Sequence, residues 1–317
     1  MNRRETIKLI GASALGTVAA TGTASAQKHQ DFEEDKTVYL GMCVGHYKHK
    51  EAADIFEKME RLSGMGFKYM DMVVDTKYGE NYDIKKCKKV VDNLGIVPVQ
   101  AGGGIPTWGT FDTAEKEKVL DKAKTYLDDC AYVGIHCTCI LPPQWHEDLP
   151  FEVSWGTSID YIRKYAELCK ERGLAITVEV EPERDYISCR FRDAIAWLEH
   201  VDMDNVFLNV DTSHFTMWNY KAEWLGKYAS MVVHTHITDN DGGKHQSWAL
   251  GDGVTDNVGY YKALIDGGWP ENARKHNIPP VACIELYIPG HTGDSFDPEI
   301  KQSISWVKEN LPYMKLS

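Results

Sequence analysis

The chain lacks an excess of basic side chains. Its 35 lysines and arginines stand against 47 aspartates and glutamates, a net charge of −12 over 317 residues. Phosphate backbones and anionic lipid surfaces are held by clustered Lys and Arg, so neither a nucleic acid nor a membrane is the expected partner. The eight cysteines (Cys43, Cys87, Cys130, Cys137, Cys139, Cys169, Cys189 and Cys283) contain no C-x-x-C pair and no zinc-finger spacing. Cys43, Cys137, Cys139 and Cys283 lie in apolar strand-like runs, where cysteine usually acts as a small buried hydrophobe. No run beyond residue 26 is long and apolar enough to span a bilayer. A Gly-rich phosphate loop opening a helix is missing too, since "AGGG" leads into Ile105-Pro106. What is present is a globular composition, 43% hydrophobic and 26% charged, long enough for one sizeable core.

Residues 1–26 read as a leader rather than fold. They carry a basic start, a mild Gly- and Thr-containing apolar stretch and Ala24-Ser25-Ala26, an A-x-A cleavage signature. Arg3-Arg4 followed by Ile7-Lys8 is Tat-like, although Thr6 stands where such signals usually carry Phe; the other reading is a Sec signal. An exported, periplasmic product is expected. The stretch carries Arg3, Arg4 and Lys8 against Glu5, so its removal makes the chain two units more negative.

From Thr37 onward, short β-branched runs alternate with helical patterns. The runs are "TVYLGMCVG", "FKYMDMVVD", "IVPVQAGGG", "HCTCILPP", "LAITVEVEP", "VFLNVDTSH", "MVVHTHITD" and "VACIELY". Several of the helical patterns close on glycine, as left-handed caps do. Runs apolar on both faces belong in buried parallel sheet. Eight such β/α units predict a (β/α)8 TIM barrel, one domain over residues 35–315.

A barrel places its active site at the C-terminal ends of its strands. Run five ends with Glu179 and Glu181, run six with Asp211 and then His214. Run seven carries His234, His236 and Asp239, and run eight Glu285. Each alone has an ordinary reading as a cap, a salt-bridge partner or, for His234, a satisfied core histidine. Together they bring three carboxylates and an imidazole to one mouth, a set that needs a compensating cation. Ligands of this kind suit Mn²⁺, Mg²⁺, Co²⁺ or Zn²⁺. His46 and His146 either line the mouth or sit in loops. Trp108, Trp145, Trp218 and Trp248, all near strand ends, either stack on a ligand or merely pack.

The segments "GLAITVE", "NVDTSH", "HTHITD" and "CIELY" resemble the metal signature of the xylose isomerase-like TIM barrel superfamily, which includes sugar isomerases and epimerases and endonuclease IV. The resemblance covers nearly all of the chain after residue 26 by pattern. It implies one divalent metal ion held by Glu179, Asp211, His236 and Glu285, with Glu181 the second choice for the first ligand. It implies that Glu179 and Glu285 also serve as base and acid in proton removal alpha to a carbonyl. It gives His214 to the substrate; Glu181, His46, Trp108, Lys244 and His245 are further substrate-side candidates.

The implied reaction is isomerisation or epimerisation of an unphosphorylated sugar or sugar derivative. A 3-keto-glycoside lyase would use the same enediolate, and a non-catalytic exported sugar-binding protein is the third reading. Two departures matter. Ketose 3-epimerases often carry Arg shortly after the seventh-strand His, where this chain has Lys244 and His245. Endonuclease IV's extra histidines after strands two to four are missing, which removes the DNA reading. Homo-oligomerisation is left open.

Overall fold

The computed structural model describes residues 37–52, 54–74, 83–102 and 113–316. The leader 1–26, Asp75 and Trp108 lie outside the described residues. Eight parallel strands close into a barrel: β1 (Val38–Cys43), β2 (Tyr69–Val73), β3 (Val97–Gly102), β4 (Cys137–Ile140), β5 (Ala175–Glu179), β6 (Val206–Asp211), β7 (Val232–Ile237) and β8 (Val281–Ile284). Each pairs with its sequence neighbour, and β8–β1 and β1–β2 complete the ring. A short β9 (Met314–Lys315) adds to β1. The predicted eight-unit barrel is therefore present, and all eight cysteines are free thiols.

Ten α-helices are described: α1 (Ile55–Gly64), α2 (Ile84–Leu94), α3 (Thr113–Val133), α4 (Phe151–Lys170), α5 (Phe191–Val201), α6 (Thr212–Met217), α7 (Ala222–Lys227), α8 (Asn257–Asp266), α9 (Trp269–Lys275) and α10 (Asp297–Asn310). None is long and apolar enough to cross a membrane. Local chemistry sets their ends. Asp83 caps α2 by accepting from the Lys85 and Lys86 amides, and Gly95 closes it at φ 63°. Helix α4 starts at Phe151, directly after Pro150, and carries Gly156 inside it. After β6 come two short helices, α6 and α7, with Asn219 between them at φ 53°.

Strand register positions the polar side chains. Asp211 pairs with His236 and Glu179 with Asn209, while Cys43 pairs with Asp71. Between Leu208 and Asn209 the register slips: their partners are Val232 and His234, which leaves Val233 as an extra residue on β7. Such a bulge re-aims side chains, and here His234 and His236 both reach the barrel interior. The wall is tight elsewhere. A Cβ on Gly41 would lie 2.6 Å from Cys283 Sγ, 2.7 Å from Val281 Cγ1 and 2.9 Å from the Tyr69 carbonyl oxygen. Gly41→Ala is expected to cost about 1–3 kcal/mol through overpacking, read as a lower denaturation midpoint.

Candidate active site

Strand β6 runs straight into α6, and Asp211 is the hinge between them. One oxygen, Oδ1, caps the helix, accepting from the Ser213 amide (2.6 Å), Ser213 Oγ (2.7 Å) and Thr238 Oγ1 (2.8 Å). The other, Oδ2, is buried without a hydrogen-bond partner, with His214 Nε2 4.0 Å away. A carboxylate oxygen left bare in a fully buried residue is costly unless something positive meets it.

Ligand atoms of Glu179, Asp211, His236 and Glu285 all lie within 4.8 Å of one another. His236 Nδ1 is 2.9 Å from Glu179 Oε1 and 2.8 Å from Glu285 Oε2. Burial opposes charge on the His236 ring, yet Glu179, Cys43, Glu285 and Asp71 outweigh it and raise its pKa well above the usual histidine range. Burial likewise pushes Glu285 up, but His46 and His236 prevail and hold it well below the usual carboxylate range. Three carboxyl groups are thus packed around one imidazole. Three carboxylates and one imidazole, with a bare Oδ2 among them, fit a divalent cation.

Glu179, His236 and Glu285 open into a cavity of about 570 Å³ at the C-terminal mouth, with Asp211 fully buried behind its wall. His46, Glu179, Glu181, His214, His236, His245 and Glu285 line it, so seven of the candidates meet there. His46 Nε2 lies 3.1 Å from Glu285 Oε1. Glu181 falls beyond the end of β5 and joins a second group: its carboxylate lies 3.9 Å from His214 Nε2 and 3.8 Å from His245 Nε2. His214 donates through Nδ1 to the Val180 carbonyl (3.1 Å), and His245 Nδ1 pairs with Glu183. Their two Nε2 atoms then face each other at 3.0 Å. One ring must carry the proton between them. Burial works against charge on His245, but Glu183 prevails and raises its pKa.

Burial and repulsion by Glu179, Glu183 and Glu285 raise Glu181 well above the usual carboxylate range. Its folded pKa exceeds the unfolded value of about 4.3, so ionisation costs stability as pH rises from there through the folded value. Glu181→Gln is expected to melt higher than wild type without metal at pH 8, by about 2–4 °C for ~1 kcal/mol in a chain of this size. The gap closes toward pH 4. Melting curves across that range check it.

The remaining candidates fall away from the cavity wall. Lys244 is exposed, with its carbonyl bound by Asn240 Nδ2. Trp145 packs on Phe151, Trp218 lies under Arg190, and Trp248 bridges to Asp239; none is among the described lining residues. His146 accepts from the Asp148 amide. Asp239 ties down the loop after β7, accepting from the Asn240, Gly251 and Thr255 amides. His234 is a buried core histidine only half satisfied: its Nε2 donates to Asp71 Oδ2 at 2.8 Å, while its Nδ1 has no hydrogen-bond partner.

Sequence reasoning missed Asp71, Glu183 and Tyr287. Tyr287 is the aromatic that reaches the mouth, two residues beyond Glu285. Asp71 had one available signal, a lone charge inside the apolar run "YMDMVV".

Comparison with solved structures gives the same architecture. The IolI protein with a bound zinc atom matches at TM-score 0.72 and 16% identity, over 88% of this chain and 99% of that one. A D-tagatose 3-epimerase-like protein matches at 0.71 and 14%, over 87% and 97%. The E. coli 3-keto-D-glucoside 4-epimerase matches at 0.64 and 19%, over 86% and 99%. At such identities these likenesses establish the fold. No curated protein sequence gives a significant match. The family model described as xylose isomerase-like TIM barrel matches residues 59–307, most of the chain, and the protein belongs to that family.

Proposed function

We propose that the protein is a divalent-metal-dependent sugar isomerase or epimerase that removes a proton alpha to a carbonyl. The observation that carries this reading is the buried quartet of Glu179, Asp211, His236 and Glu285 around the bare Asp211 Oδ2. Those four residues would hold a divalent cation, which would supply Lewis-acid polarisation of a substrate carbonyl. The neighbouring solved structures named as a tagatose 3-epimerase-like protein and a keto-glucoside epimerase support a sugar substrate.

The chain's own groups do the rest. Glu179 and Glu285 each turn one oxygen toward His236; their other oxygens meet Cys139 and His46. They come from β5 and from just beyond β8, so they approach a bound sugar from different sides and can take and return a proton. His214 and His245 offer the imidazoles that hold substrate oxygens. The described lining residues include four carboxylates (Asp71, Glu179, Glu181 and Glu285) but neither Lys nor Arg. Among the described residues a phosphate dianion would find no permanent cation there, which favours an unphosphorylated substrate. Export through the Tat-like leader fits such a substrate.

The test is a panel of free ketoses, ketose phosphates and 3-keto-glycosides, with products separated chromatographically. Conversion of a free or glycosidic sugar to its isomer or epimer is the expected result. Aglycone release would instead identify a lyase. Zinc or manganese binding without turnover of any sugar would contradict the enzyme reading.

A further inference from the structure

Directly beneath the quartet lies a carboxylate that plays no part in the proposed chemistry. Asp71, on β2, is 7% exposed and surrounded by side chains from three other positions in the ring. Its Oδ2 accepts from His234 Nε2 at 2.8 Å and from Cys43 Sγ at 3.4 Å, and lies 3.4 Å from His236 Nε2. His234 is fully buried on β7, and Cys43 sits opposite Asp71 on β1. The carboxylate is thereby anchored from two neighbouring directions before it meets His236.

The His236 ring therefore has two distinct ends. Nδ1 points at Glu179 and Glu285, and Nε2 points at Asp71. The other polar neighbour, Asn209 Nδ2, is 3.4 Å from both ring nitrogens and so does not favour one over the other. Selection of the nitrogen that faces the quartet falls to Asp71.

We propose that Asp71 is a positioning residue: it holds the Nε2–H tautomer of His236 and so commits Nδ1 to the metal. This rests on the reading of the quartet as a metal centre. A carboxylate behind a ligating imidazole fixes its tautomer and orientation and strengthens it as a ligand, and loss of such a partner typically weakens metal binding about 10–100-fold. His234 then acts one step further back, holding Asp71 in place.

Two measurements test it on the full chain. In the zinc-loaded wild type labelled with ¹⁵N-histidine, long-range ¹H–¹⁵N correlations should show His236 ligating through Nδ1 with a proton on Nε2. His236→Gln identifies the signal by its disappearance. Competitive zinc titration of Asp71→Asn should show affinity reduced about 10–100-fold. Ligation through Nε2 in the wild type would overturn the assignment even if Asp71→Asn fails to fold. Zinc affinity of Asp71→Asn within twofold of wild type would overturn it as well. A wild type that binds no zinc defeats the metal reading itself, and the role of Asp71 with it; either earlier result leaves the metal reading standing.

Discussion

Asp211→Asn is expected to abolish tight metal binding and activity while leaving the barrel folded. The two oxygens of Asp211 do different work. Oδ1 caps α6 and accepts three hydrogen bonds, whereas Oδ2 is the bare atom within the quartet. Asparagine keeps an acceptor for the cap and places a neutral NH2 where Oδ2 stood. Metal affinity should fall by roughly a thousandfold or more, beyond the 10–100-fold loss typical of a ligand's supporting partner. kcat/KM should fall with it. Asp211→Ala removes both oxygens, leaving the Ser213 and Thr238 donors unpaired, and should also cost about 1–3 kcal/mol of stability. Equilibrium dialysis and melting curves on the two variants separate the roles. Metal binding by Asp211→Asn close to wild type would remove Asp211 from the centre.

The second large effect is expected at Glu179 and Glu285. Replacing either with glutamine keeps an oxygen that can face a cation but removes the proton acceptor. Loss of a general acid or base typically lowers turnover about 10²–10⁴-fold. Metal affinity should fall less than kcat, which separates the proton-transfer role from the ligand role. If two bases serve opposite faces, each variant should fail to draw a proton from a different member of an epimeric pair. Deuterium wash-in from each epimer, measured separately on the Glu179→Gln and Glu285→Gln proteins, reads this directly. Equal loss of metal and turnover in both variants would leave them as ligands only.

The barrel and the candidate quartet were legible because their signals are local. Each of the four closes a short apolar run, and the end of a barrel strand is the mouth of the barrel. Asp211 and His214 are three residues apart, and the first turn of α6 carries His214 to the same side. Asp71 was hidden for the opposite reason. It lies inside a strand whose pattern reads as buried and apolar, and its two histidine partners are more than 160 residues away on β7. Glu181 pointed the same way as Glu179 only so long as the strand continued; β5 ends at Glu179, and Glu181 turns to His214 and His245. Glu183 became visible only through its contact with His245, 62 residues along the chain. The start of α4 and the break between α6 and α7 depend on packing and on one left-handed residue, which periodicity does not register.

The most direct test of metal-dependent proton abstraction is solvent exchange. The manganese-loaded and the chelator-treated protein are each incubated in D₂O with the sugars that turn over, and carbon-bound deuterium is measured by NMR. Deuterium appearing alpha to the carbonyl with the loaded protein, and lost on chelation and in Asp211→Asn, is the expected result. Conversion of the sugar with no deuterium at that carbon, or exchange that persists undiminished without metal, would contradict it.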